Sequence, residues 1–302
     1  MEGTYRLDTT TEITPDRDIL DTALAVQSKH WPDVRTEVGA AGEGWTTAKA
    51  FFEDDDAIST LLEHEQSLNE DTDAKASAAF LMTDYCHIFT AAAVPLLAGF
   101  DIVPDLSPDN FALNFYMEKH EHKGRIYDLP RAHVRYLSGR FSRLPDQSQS
   151  CDLFRTSTEA HFQPLIETLS QRSGLSRNAL WRLLADALAA RFLEAGRQLG
   201  CLDKARIMAM AVLKQPRSPL ANKQMHYFDL TVLDREERPV SYTFRARGGC
   251  CRFYSVKGGK YCTTCVLKDP HERDEQLQQA MRRYLGVTAD AAAAIPHLRE
   301  PS

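Results

Sequence analysis

Apolar positions recur at helical spacing through most of the first hundred residues. Ile19, Leu20, Ala23 and Leu24 predict a helix from Asp16 to Lys29, stopped by Pro32. Ile58, Leu61 and Leu62 predict a second from Asp54 to Asn69. Its acidic start, Glu53 to Asp56, complements the positive end of a helix and reads as a solvated face rather than a metal site. Leu81, Tyr85, Ile88, Phe89, Ala92 and Leu96 widen into a stripe on a third, longer helix that ends near Gly99.

Beyond Pro104 and Pro108 the period changes to two. Phe111, Leu113, Phe115 and Met117 alternate, a turn is expected over His120 to Gly124, and a short second run, Arg125 to Leu129, completes a β-hairpin. Leu144 to Cys151, with Pro145 and several Ser and Gln, predicts a loop or a boundary. Helical spacing then returns in Phe162, Leu165, Ile166 and Leu169 up to Gly174. A Ser176-capped helix follows with Leu180, Leu183, Leu184, Ala187, Leu188 and Phe192, and Gly200 closes the pair. Asp203 to Leu213 is expected helical, and Lys214 to Lys223 an extended basic connection crossing the surface. Tyr227, Asp229, Thr231 and Leu233, then Tyr242 and Phe244, form a second hairpin, and Pro270 to Leu285 a last helix. The fold class is therefore α+β, mainly helical. Residues 1–150 make a helical region with a hairpin, and residues 151–302 a helical hairpin, a β-hairpin and a cysteine-bearing segment; one continuous domain would satisfy the same order.

With 302 residues, 43% apolar and 26% charged, the composition is that of an ordinary globular chain without repeats. Ala76 to Phe100 is apolar enough to raise the question of a membrane span. Asp84 and His87 interrupt it, Pro95 breaks its helical bonding, and a charge at the bilayer centre costs roughly 2.5–3.5 kcal/mol, so a buried core helix is expected. Met1 to Pro15 lacks the features of a secretory signal, which sets the expectation of a cytoplasmic protein. In that compartment seven cysteines point to metal or redox chemistry rather than disulfides. Charge is uneven: Asp203 to Arg273 holds fourteen Lys and Arg against seven Asp and Glu, a surplus of seven in a chain whose net charge is −6. The cysteine-bearing end is the electropositive end, suited to anionic partners.

Cys250, Cys251, Cys262 and Cys265 form C-C-x10-C-x2-C. A C-x2-C turn curls two thiolates toward one metal, and Gly248, Gly249, Gly258 and Gly259 are expected to make the turns that bring the other pair opposite. Adjacent cysteines are awkward ligands for one tetrahedral zinc, whereas two irons share a vicinal pair more easily; spacing alone leaves iron–sulfur, structural zinc and redox thiols open, in that order. Other groups point less clearly to chemistry. His120 and His122 with Glu118 and Glu121 sit at the expected turn without a partner fixed by spacing. Cys86, Cys151 and Cys201 are scattered and read as small core residues. Gly39 to Gly44 has neither the preceding strand nor the following Lys-Ser of a phosphate loop. Lys214, Arg217 and Lys223 read as surface charge.

The stretch Arg247 to Leu267, R-G-G-C-C-R-F-Y-S-V-K-G-G-K-Y-C-T-T-C-V-L, resembles the C-terminal cluster motif of the FhuF-like ferric-siderophore iron reductases. Many members have proline after the last cysteine where this chain has Val266, a departure that leaves the ligands untouched. The resemblance covers about twenty residues in detail and the helices before them only in order. It implies a [2Fe–2S] cluster on Cys250, Cys251, Cys262 and Cys265. It also implies an activity: one electron passes to siderophore-bound Fe(III), and Fe(II), which hard oxygen donors hold less well, is released. Arg245, Arg247, Arg252, Lys257 and Lys260 flank the ligands as candidate substrate-binding cations. Without a flavin or nicotinamide fingerprint, the donor is expected to be a ferredoxin, a flavoprotein or an NAD(P)H-linked reductase. No nucleic-acid partner is expected, and there is room for peripheral association with an inner-membrane siderophore importer. The alternatives are an iron–sulfur sensor or electron-transfer protein, and a zinc-stabilised helical interaction protein.

Overall fold

The computed structural model describes residues 17–122 and 125–287, so the reading of Met1 to Pro15 lies outside the described residues. The helices are α1 (Arg17–His30), α2 (Ala48–Glu53), α3 (Asp55–Leu68), α4 (Ala74–Phe100), α5 (Gln147–Ser173), α6 (Arg177–Gln198), α7 (Leu202–Leu213) and α8 (Pro270–Tyr284). The strands are β1 (Thr36–Val38), β2 (Thr46–Thr47), β3 (Val103–Pro104), β4 (Phe111–His122), β5 (Arg125–Tyr136), β6 (Phe141–Ser142), β7 (His226–Leu233) and β8 (Pro239–Ala246). The architecture is α+β and mainly helical. Helix starts follow side-chain capping: Asp54, Asp73, Asp146, Ser176 and Asp269 each accept a hydrogen bond from an amide of the first turn they precede.

Helix α4 is the axis of the main core, apolar on nearly every side and buried along most of its length. It packs against α6, which is likewise buried almost all round, while α5 and α7 complete the helical layer. The sheet β1-β5-β4-β2 covers another side of α4; β1 runs parallel to β5 and the remaining pairs are antiparallel. One apolar cluster runs from Leu20 to Met225. A second, small cluster of Val232, Phe244, Leu277 and Met281 joins the β7–β8 hairpin to α8.

Several elements differ from the sequence reading. Leu144 to Cys151 is a loop only as far as Asp146: the Asp146 carboxylate caps α5, and Cys151 is already buried in it. Strands β4 and β5 are twelve residues each, and His120 and His122 belong to β4, opposite Tyr127 and Arg125, rather than to a turn. Residues 123–124, which separate the two strands, lie outside the described residues. The short helix α2 was not expected. The connection from Lys214 to Lys223 is more than a surface crossing. Lys214 donates to the Asn222 and Met225 carbonyls, Leu220 is fully buried, and Ser218 Oγ donates to Glu159 Oε1 at 2.6 Å; Arg217 and Lys223 are exposed.

Pro95 lies inside α4 without ending it. A proline has no N–H to give the carbonyl four residues back, here Ala91. The buried Gln27 side chain of α1 replaces that donor, with Nε2 at 2.9 Å from Ala91 O and 3.1 Å from Val34 O. A second buried polar group is His161. Its Nδ1 donates to Leu106 O at 2.7 Å, so Nε2 accepts from the Tyr85 hydroxyl at 2.7 Å, and the ring sits among Phe52, Phe89, Phe111 and Phe162. Burial pushes its pKa down to about 4.

Gln27→Leu keeps the volume but takes the donor from the buried Ala91 carbonyl, while Val34 O keeps the Thr36 hydroxyl at 3.2 Å, so a loss of about 1–3 kcal/mol is expected in chemical denaturation. His161 predicts a pH dependence. The unfolded chain takes up a proton near pH 6.5 and the folded chain only near 4, so stability falls as pH drops from about 6.5 to about 4. Denaturation midpoints across that window should show the fall, and His161→Gln should flatten it.

Candidate iron–sulfur site

Strand β8 hands the chain to a loop, residues 247–267, whose first part lies along α6. The fastening is polar. Asp186 on α6 is 1% exposed, and its carboxylate accepts from Gly248 N at 2.8 Å, Gly249 N at 2.9 Å and Arg247 Nε at 3.2 Å. Arg245 donates to the Asp186 main-chain carbonyl. Gly249 is required by this closeness: a Cβ there would stand 2.9 Å from the Arg182 carbonyl carbon and 3.0 Å from its oxygen, both backbone atoms of α6.

The middle of the loop docks on the start of α4. Lys257 N donates to Glu70 O at 3.0 Å and its ammonium pairs with the Glu70 carboxylate. Arg252 pairs with Asp73, the cap of α4, at 2.9 Å, and the Phe253 ring lies 6.4 Å from that of Phe80. Phe253–Ser255 form one short 3-10 turn. Gly259 then passes so close to Phe253 O that a Cβ would lie 1.8 Å from it.

These turns place the four cysteines on one loop, Cys265 buried and Cys250, Cys251 and Cys262 half-buried. The thiols are near enough to perturb one another: Cys250 feels Cys251 and Cys265, and Cys262 feels Cys251 and Cys265. The C-x2-C turn is closed by Cys265 N donating to Cys262 O at 3.0 Å. Cys250 Sγ accepts from Arg252 N at 3.4 Å, and Cys262 Sγ from Arg247 Nη1 at 3.7 Å. Its neighbour Cys262 first, and then the Arg247 guanidinium, hold the Cys251 thiol well below its ordinary range, at about 5, while Cys262 moves the other way. Burial raises the thiols of Cys86, Cys151 and Cys201, Cys151 to about 11, and it raises that of Cys250 as well.

The flanking cations divide by position. Arg245 and Arg247 turn inward to Asp186, and Arg247 stays charged despite burial because Asp186 and the neighbouring thiolates favour the cation. Arg252 and Lys257 are engaged by the start of α4, and Lys260 is exposed without a partner among the described residues. The outer face of the loop also exposes Phe253, Tyr254, Tyr261 and Leu267, with Tyr254 and Tyr261 in ring contact at 5.2 Å. Sequence reasoning missed Asp186. The available clue was an acid inside the apolar run Leu183 to Ala190, since a fully buried Asp is almost always paired.

A helical body presenting a four-thiol loop at its surface is a scaffold for an iron–sulfur centre. A family model described as ferric iron reductase FhuF-like transporter matches residues 79–229, half of the chain, and one described as the FhuF 2Fe-2S C-terminal domain matches residues 247–267. The chain belongs to the FhuF-like ferric iron reductase family, and its cofactor is a [2Fe–2S] cluster. The first match runs from α4 into β7 and includes Asp186; the second is the cysteine loop. A search of curated proteins finds no match.

Gly249→Ala should push the loop off α6, because neither contacting atom is a side chain that can swing away. A loss of about 1–3 kcal/mol and a lower iron content per purified chain are expected, read by thermal melting and metal analysis.

Proposed function

We propose that the protein is a cytoplasmic ferric-siderophore reductase, with Cys250, Cys251, Cys262 and Cys265 as the ligands of its cluster. The observation that carries this reading is a single loop that holds all four thiols and whose outer face reaches solvent. The donor set fits the group, since four thiolates serve two irons in pairs.

When bound, the cluster supplies a one-electron carrier, which matches the single electron separating Fe(III) from Fe(II). The chain's own residues prepare both sides of that exchange. Arg247, held against Cys262 Sγ, places positive charge and a hydrogen-bond donor at one ligand, which favours the more negative, reduced state. The exposed aromatics Phe253, Tyr254 and Tyr261, with Lys260 and the solvent-facing Lys257, offer an apolar and cationic face to an anionic chelate. Arg245 and Arg252 act from within the loop, as anchors to α6 and α4. Electrons balance as one from the donor for each Fe(III) reduced. Hydroxamate or catecholate oxygens hold Fe(II) less well than Fe(III), so the product leaves the chelate. A ferredoxin, a flavoprotein or an NAD(P)H-linked reductase supplies the electron, and the protein can work beside an inner-membrane siderophore importer.

The test combines metal analysis with rapid kinetics. About two irons and two labile sulfides per chain are expected. Serine at any of the four loop cysteines should bleach the visible spectrum, while Cys86→Ser, Cys151→Ser and Cys201→Ser should not. The reduced protein, mixed anaerobically with ferric hydroxamates and catecholates, should be reoxidised faster than by buffer alone. One zinc without sulfide, or indifference to every ferric chelate, would remove the reductase reading.

A further inference from the structure

We propose that Asp186 is a positioning residue for the cluster loop: from a buried site on α6 it holds the Gly248–Gly249 backbone in place and keeps the Arg247 guanidinium on Cys262 Sγ. The inference rests on the iron–sulfur reading above. Its basis is a convergence of contacts from a segment about sixty residues away in sequence onto one helix position. Oδ1 accepts from Gly248 N at 2.8 Å, and Oδ2 accepts from both Gly249 N at 2.9 Å and Arg247 Nε at 3.2 Å. Both carboxylate oxygens are therefore used by the loop. The side chain is 1% exposed, so water cannot replace a lost partner. A guanidinium is a rigid planar fork, and anchoring its Nε on Asp186 fixes where its other nitrogens point. One of them, Nη1, lies 3.7 Å from Cys262 Sγ. The two amides precede Cys250 directly, so the same carboxylate fixes the backbone that enters the vicinal cysteines.

The arrangement has two separable consequences. Loop geometry should depend on Asp186 through the amides, and the reduction potential should depend on it through Arg247. Asp186→Asn preserves volume but replaces one acceptor oxygen by a donor, which then faces a donor of the loop. Arg247→Gln removes the cation while leaving both amide contacts.

Hydrogen–deuterium exchange on the full-length protein tests the first consequence. With Asp186→Asn, exchange at residues 247–250 should accelerate at least about tenfold, the scale of losing a charge-assisted hydrogen bond, with β4–β5 and α8 unchanged. The midpoint potential tests the second. Arg247→Gln should lower it. The shift caused by Asp186→Asn should be more negative with Arg247 present than in the Arg247→Gln background, where Asp186 has lost the group it acts through. Unchanged exchange at residues 247–250, acceleration spread evenly over the core, or strictly additive potentials would each overturn the proposal. Should Asp186→Asn fail to fold, Arg247→Gln decides alone: an unchanged potential in a normally melting protein overturns it. The exchange measurement does not require metal, so absence of iron and sulfide would sink the cluster reading while Asp186 was still judged on its own.

Discussion

A carboxylate buried in an apolar helix is tolerated only if its hydrogen bonds are complete, and the site in this protein is built on that requirement. Asp186 cannot reach water from α6, so its partners must come from the protein, and the residues that supply them are Arg247, Gly248 and Gly249. Hydrogen bonds to an ionised group contribute roughly 1.5–3 kcal/mol each, several times an ordinary surface ion pair. The loop brings little apolar burial of its own: Val256 and Cys265 are its buried apolar side chains. Polar fastening therefore does what a core does elsewhere, and glycine at position 249 is the steric condition for it, because the carboxylate can be reached only if the backbone passes against α6.

The same rule governs the polar positions and the proline within α4. Asp84 and His87, which argue against a membrane helix in the sequence, are each matched: Asp84 by Arg131 at 3.2 Å, His87 by Asp33 at 2.6 Å. Glu65 beside Asp84 is kept neutral at pH 7, its pKa pushed up to about 9 by burial and then by the neighbouring acid, so the two acids and Arg131 do not leave two negative charges facing each other. Gln27 serves the carbonyl that Pro95 leaves open. An apolar helix thus carries an acid, a histidine and a proline inside a dense core because other elements answer each of them.

That distribution explains what could be read from the sequence. Periodicity reports which face of an element is buried, so the helices around Leu20, Ile58, Leu81, Leu165 and Leu184 and both hairpins were legible, with boundaries set by caps such as Asp54 and Ser176. The cysteine motif was legible because its four members lie within sixteen positions and their spacing carries the chemistry. What depends on distant partners was not. The opening of α5 looks like a loop because Ser and Gln are weak signals, and its Asp146 cap lies directly beside Pro145. The parallel pairing of β1 with β5 joins Thr36 to Val134, and no local pattern announces it. Asp186 meets its partners across about sixty residues, and the cations around the cysteines gave no sign of which would turn inward.

The position of the loop follows from competing demands of electron transfer. A redox centre must come near the surface to meet donor and acceptor, yet its ligands need a rigid, partly dry setting that holds geometry through a change of charge. A loop inside the main core would satisfy only the second demand, and one projecting into solvent only the first. Here the loop spans two well-ordered supports, α6 on one side and the start of α4 on the other, with the β7–β8 hairpin and α8 forming their own small cluster beside it. Its inner wall is polar and fixed, and its outer wall, with Tyr254, Tyr261 and Lys260, is open. The inward arginines and the outward aromatics therefore stand apart in space: Arg247 places positive charge beside Cys262 Sγ, and the exposed rings form the part of the loop that faces solvent.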